Sequence, residues 1–92
     1  MSSNITKEKI QDFISELILT YGSAELFLSS TDKFNSDIFT SCMVDSFAVI
    51  SIIALIEEEY AITISFEYLN SDKMRTINGI SDIVLSLALS NV

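Results

Sequence analysis

Few side chains in this sequence are equipped for chemistry, and their types and spacing narrow the field further. The 92 residues include no histidine, so neither a Ser-His nor a Cys-His nucleophile pair can form, and acid–base work near neutral pH lacks its usual residue. No catalytic residue is assigned, and the chain is read as a non-enzyme. One cysteine, Cys42, cannot supply the three or four soft ligands of a zinc site. With no base or cation beside it in sequence, it reads as an inert thiol. The two glycines, Gly22 and Gly79, stand alone and make no phosphate-cradling loop. The run Glu57-Glu58-Glu59 offers carboxylates to a cation, but helix neighbours point in different directions and lack the spacing of a calcium loop. It reads as a solvated helix end, and no metal site is expected. What remains is a hydroxyl at a helix start, Asp45-Ser46-Phe47, preceded by a long polar stretch and followed by an apolar run that ends in acids. On its own, an Asp before a helix is an ordinary cap.

The elements that must position this hydroxyl follow from apolar spacing. Ile10, Phe13, Ile14, Leu17, Ile18 and Tyr21 recur at helical intervals, with Lys7, Glu8, Lys9, Asp12 and Glu16 between them. They predict an amphipathic helix over about 6–21. Thr6 is its expected N-cap and Gly22 its expected left-handed C-cap. Residues 22–44 are rich in Ser, Thr, Asn and Asp without a sustained period, so they read as a long loop with room for a short helical turn. Phe34, Ile38 or Phe39 is expected to pin that loop to the core. A helix over about 46–60 follows, with Asp45 as N-cap. Val49, Ile52, Ile53, Ile56 and Tyr60 form its expected core stripe, while Phe47, Ile50 and Ala54 form a second stripe that a small bundle does not need. A short turn or helix is expected within 66–74. A last helix over about 76–89 starts at Thr76 as N-cap, turns Ile77, Ile80, Ile83 or Val84, and Leu87 inward, and keeps Asp82 outside. Residues 90–92 are expected to fray.

These elements give one all-α domain, a small three- to four-helix bundle with a long first loop, spanning 1–92. Proline is absent and glycine scarce, which favours helices over tight hairpins. Thirteen acids against five bases leave a net charge of −8. Such a field repels phosphate backbones and anionic lipid surfaces, so nucleic acid and membranes are poor partners. The longest apolar stretch, 47–56, falls far short of the ~20 residues of a spanning helix. A cytoplasmic monomer without disulfides is the expectation.

The window DSFAVISIIALIEEEYAI, Asp45 to Ile62, resembles the attachment region of acyl carrier proteins. In that family an Asp-Ser-hydrophobic triplet opens the second helix and an acidic-acidic-aromatic triplet, here Glu58-Glu59-Tyr60, closes it. The order of first helix, long loop, attachment helix, short turn region and last helix is similar over the full chain. The resemblance implies an acyl-carrier-like bundle with 4′-phosphopantetheine joined to Ser46 through a phosphodiester, and an acyl or aminoacyl group held as a thioester on the arm. A helix N-terminus favours such a phosphate through its free N–H groups and dipole. Asp45 is the adjacent motif residue, placed to cap the helix and to meet the modifying enzyme. Implied partners are a phosphopantetheinyl transferase, a loading ligase, and downstream acyl-transfer or condensing enzymes of fatty acid, polyketide or nonribosomal peptide synthesis. Phe66 and Leu69, then Met74, Thr76 and Ile80, are similar to the corresponding segment of D-alanyl and other aminoacyl carriers. Many members carry Gly two residues before the Asp, where this chain has Met43. Fatty-acid carriers place acids at the positions of Ala48 and Ser51, so a more apolar partner surface is implied here.

Phe47, Ile50 and Ala54, extended by Glu57 and Glu58, are the expected partner-binding face, since an exposed apolar patch beside Ser46 lies where enzymes acting on the arm must dock. The helix dipole disfavours acids at a C-terminus, so attraction to a basic partner is the expected reason for those two glutamates. A reading from a different class is an unmodified helical interaction module that binds a partner helix.

Overall fold

The computed structural model describes residues 5–90. These residues contain five α-helices and one short 3-10 turn, with no strand among them. The helices are α1 (Lys7–Tyr21), α2 (Ala24–Ser29), α3 (Ser46–Tyr60), α4 (Phe66–Leu69) and α5 (Ile77–Ser90), and the 3-10 turn is Asp72–Arg75. The chain is a small all-α bundle in which α1 packs along both α3 and α5. The expected fraying falls partly on 91–92, which lie outside the described residues, while Ser90 is helical.

Helix α1 begins where the Thr6 hydroxyl accepts the Lys9 N–H at 3.2 Å, satisfying one of the orphan donors of the first turn. Ile10, Ile14, Leu17 and Ile18 are buried along it. Phe13 is half-buried and meets Tyr60 edge-on, with ring centroids 5.8 Å apart. Tyr21, expected in the core stripe, is 48 % exposed because the helix ends there and α2 turns away. Gly22 follows, but in an extended rather than a left-handed conformation, with φ −106° and ψ −154°. Its smallness has another cause. The Met43 carbonyl accepts the Ser23 N–H at 2.7 Å, and a Cβ at Gly22 would collide with that same carbonyl oxygen.

The segment after Gly22 is more ordered than its composition implies. Its first part is α2, a helix of six residues capped by Ser23 and held by buried Phe27. The remainder folds on carboxylates and carbonyls. The Asp32 carbonyl accepts from the Asn35 and Ser36 N–H groups, and Asp37 Oδ1 accepts from the Phe39 and Thr40 N–H groups at 2.8 and 3.0 Å. Ile38 is the buried pin, with Phe34 and Phe39 half-buried against the core.

Helix α3 is apolar nearly all round, so its facing is set by the bundle. Ala48, Ile52 and Ile56 are buried, while Val49, Ile53 and Tyr60 are only half-buried. The core face is therefore rotated by about 50° from the expected stripe, at 100° per residue. Beyond α3, Ala61 adopts a left-handed conformation (φ 54°, ψ 47°) that reverses the chain. Ile62 and Ile64 then drop into the core without forming a strand.

Helix α5 starts as its sequence indicates, with Thr76 Oγ1 accepting the Gly79 N–H at 2.9 Å. Ile77, Ile80, Ile83 and Val84 are buried, but Ala88 takes the inward place expected of Leu87, which is half-buried. A side chain at Gly79 would run into the Lys73 backbone, so the glycine lets the 3-10 turn pack directly on α5. Asp82 points outward and pairs with Lys7 at 2.9 Å. Such an exposed pair contributes at most about 1 kcal/mol.

Candidate functional site at the start of the third helix

Two buried residues, Met43 and Val44, anchor the chain immediately before α3. The turn that brings them there uses a left-handed residue at Cys42, with φ 64°, and the Cys42 N–H donates to the Phe39 carbonyl at 3.0 Å. A non-glycine residue in that region costs about 1–2 kcal/mol. The backbone demand therefore falls at Cys42, and Met43 is free to serve as a core residue.

Asp45 then caps α3 as expected, its Oδ1 accepting the Ala48 N–H at 2.8 Å. Ser46 is the first helical residue and is exposed. Its hydroxyl and the backbone N–H groups of Ser46 and Phe47 engage no acceptor or donor among the described residues. The first turn thus presents a free hydroxyl and two free donors at the positive end of the helix dipole, an arrangement suited to hold a phosphate ester.

Below Ser46 the stripe that the core does not need lies open to solvent. Phe47 is 83 % exposed and Ile50 67 % exposed, with Ala54 exposed beyond them. Glu58 is exposed and carries the stripe on, at the border of an open groove on the α1 side that Glu16 and Glu59 also line. Glu57 departs from expectation. Its side chain turns back, and Oε2 accepts the Ile64 N–H at 2.8 Å. Fold stability explains this acid, which ties the chain after the Ala61 reversal to the end of α3. Of the five residues expected to form the partner face, the structure leaves Phe47, Ile50, Ala54 and Glu58 available and commits Glu57 to the fold. Phe66 on α4, 76 % exposed, is a further large apolar residue at the surface, where the sequence had marked it only by its similarity to the aminoacyl carrier segment.

The half-buried edge of α3 has a different use. Val49, Ile52, Ile53 and Ile56 line a partly open apolar cavity of about 190 Å³, with Ile38, Phe39, Leu69, Met74 and Ile80 on its other sides. Val49 lies three residues from Ser46, or about 4.5 Å along the helix axis. Sequence reasoning assigned Val49 and Ile53 to the core stripe and missed the cavity, because only the approach of the loop and of α4 creates it.

A second, open hollow flanks the start of α3, lined by Tyr21, Gly22, Ser23, Phe39, Cys42, Met43, Val44 and Asp45. The Arg75 guanidinium pairs with Asp37 at 2.5 Å and lies 5.1 Å from the Phe39 ring centroid. Desolvation pushes the Asp37 carboxyl up, but the Arg75 hydrogen bond, the Thr40 and Phe39 N–H groups and the guanidinium charge outweigh it and hold its pKa below the ordinary 3.8. Desolvation, with Glu59 beside it, raises the Tyr60 phenol above its ordinary 10.0.

Among the described residues no group of three His, Cys, Asp or Glu side chains is arranged to hold a metal ion. No described helix is long and apolar enough to cross a membrane. Comparison of the chain with protein-family models, curated proteins and solved structures finds no match.

Proposed function

We propose that this chain is a carrier protein whose Ser46 hydroxyl bears 4′-phosphopantetheine. The observation that carries the reading is the free hydroxyl of Ser46 at the first turn of α3, capped by Asp45, with an exposed apolar stripe directly below it. The resemblance of the Asp45–Ile62 window to the attachment region of acyl carrier proteins supports the same assignment. When bound, the arm supplies the thiol that holds an acyl or aminoacyl group as a thioester.

The protein's own residues attach and present. Asp45 fixes the first turn so that the Ser46 hydroxyl faces outward. The Ser46 and Phe47 N–H groups and the helix dipole favour the phosphodiester charge. Phe47, Ile50 and Ala54 form the docking face, with Glu58 adding attraction to basic partner surfaces. Partners are a phosphopantetheinyl transferase, a loading ligase and a downstream acyl-transfer or condensing enzyme, met in the cytoplasm. The apolar lining of the cavity beside Val49 favours a hydrocarbon cargo over a charged aminoacyl group, since a buried ammonium without a partner is strongly disfavoured.

The exposed Phe47 and Ile50 also suit a second reading, an unmodified module that binds a partner helix. Expression with a phosphopantetheinyl transferase separates the two by intact mass. A carrier gains one phosphopantetheine; an interaction module keeps its unmodified mass.

A further inference from the structure

On the α1 side of α3 an open groove runs between the two helices. Its floor is apolar. Leu17 is buried, Phe13 and Leu55 are half-buried, and the Phe13 ring is held edge-on against Tyr60, with centroids 5.8 Å apart. Three exposed carboxylates border the floor, Glu16 from α1 and Glu58 and Glu59 from α3. Among the described residues none of the three enters an ion pair or a side-chain hydrogen bond. The five bases are placed elsewhere: Lys7 pairs with Asp82, Arg75 pairs with Asp37, Lys33 donates to the Ser30 carbonyl, and neither Lys9 nor Lys73 lines the groove. Fold stability does not account for this arrangement. Glu57 is tied to the Ile64 N–H, but Glu58 and Glu59 stand in the last turn of α3, where the helix dipole disfavours acids. Glu16 brings a further like charge to the same groove from the facing helix.

We propose that this groove docks a basic amphipathic helix of another protein, which seats an apolar residue on Phe13, Leu17 and Leu55 and sets flanking Lys or Arg side chains against Glu16, Glu58 and Glu59. Charge complementarity selects the occupant. A second copy of this chain, with its net charge of −8, is repelled, as is a phosphate backbone. A wholly apolar helix would strip water from three carboxylates and give them no partner. The groove extends along α1 from Phe13 to Tyr21, about 12 Å at 1.5 Å per residue, which matches just over two turns of a helix laid along it. The apolar residues of such a helix recur at spacings of three and four. This is a different face from the stripe below Ser46, since Leu55 lies about 100° round α3 from Ala54. The docking therefore rests on no assignment of Ser46.

The test uses the unmodified full chain and, as probe, a synthetic helix of about four turns built from Leu, Ala and Lys, with Leu in one stripe and Lys on both flanks. In methyl NMR the probe should shift Leu17 and Leu55 and leave Ile50 of the stripe and Leu28 of α2 unmoved. The triple variant Glu16→Gln, Glu58→Gln, Glu59→Gln should raise Kd about tenfold, a factor of about two to three for each exposed pair lost. A control that removes the same charge away from the groove, Glu8→Gln, Glu67→Gln, Asp72→Asn, should bind within about twofold of the wild type. The same peptide with Gln in place of Lys should bind the wild type about tenfold more weakly. If the groove triple variant fails to fold, Glu59→Gln alone decides, and it should narrow the gap between the Lys and Gln peptides. Equal losses in the two triple variants would reduce the binding to net charge and overturn the groove. Shifts at Ile50 in place of Leu55, or no shifts at all, would overturn it too, and a Gln peptide that binds as well as the Lys peptide would overturn the basic partner. None of these outcomes touches the assignment of Ser46, which a mass measurement reads separately.

Discussion

Replacing Ile50 with aspartate tests whether the stripe below Ser46 is surface or core. Full burial of an isoleucine side chain is worth about 1.5–3 kcal/mol, and Ile50 is 67 % exposed. The part at stake is about a third of that, or about 0.5–1 kcal/mol. Asp is a poorer helix former than Ile by a few tenths of a kcal/mol, an amount that placement of the acid in the N-terminal half of α3 partly offsets. The net loss is about 1 kcal/mol, which lowers Tm by about 4–8 °C in a domain of this size. Ile52→Asp is the contrasting case, because Ile52 is buried against the bundle. An unpaired carboxylate there should cost more than about 4 kcal/mol. Urea unfolding followed by helical circular dichroism measures both variants. The rate at which a phosphopantetheinyl transferase modifies Ile50→Asp measures docking, and it should fall about tenfold, the loss of one central apolar contact. A loss of several kcal/mol in Ile50→Asp would refute the exposed face, and a small loss with an unchanged modification rate would refute its role in docking.

Gly22→Ala should destabilise by about 1–3 kcal/mol, seen as a lower urea midpoint, because its Cβ collides with the Met43 carbonyl that holds Ser23. Glu57→Ala leaves the Ile64 N–H without its acceptor and should cost about 1–2 kcal/mol, whereas Glu58→Ala, on an exposed residue, should cost under about 0.5 kcal/mol. The Tyr60 phenol is raised above 10.0, so the fold favours its protonated form; the associated stability is present below pH 10 and is lost as pH rises through the folded-state pKa. Tyr60→Phe should therefore flatten the decline of unfolding free energy above pH 10, and an unchanged slope would contradict the assignment.

What the sequence disclosed was governed by how local each interaction is. The bounds of α1, α3 and α5 and their caps at Thr6, Asp45 and Thr76 were legible because spacing and capping chemistry act within a few residues. Helix α2 was hidden in a polar stretch since six residues provide too little periodicity to register. The facing of α3 was not legible either. With apolar residues on nearly every side, its period cannot choose between the Val49 and Ala48 edges, and packing on α1 and α5 makes that choice. The surplus of apolar residues did disclose that one stripe must be exposed. The roles of Gly22 and Glu57 depend on partners at Met43 and Ile64, which reach them only through tertiary turns at Cys42 and Ala61.

The most direct test of the account is modification of the purified chain with coenzyme A and a broad-range phosphopantetheinyl transferase, read by intact mass and by fragmentation of the peptide that contains Ser46. The wild type should gain one phosphopantetheine located on Ser46, and Ser46→Ala should gain none while keeping its helical spectrum. A wild type that stays unmodified, or a Ser46→Ala chain that still gains the group, would contradict the account.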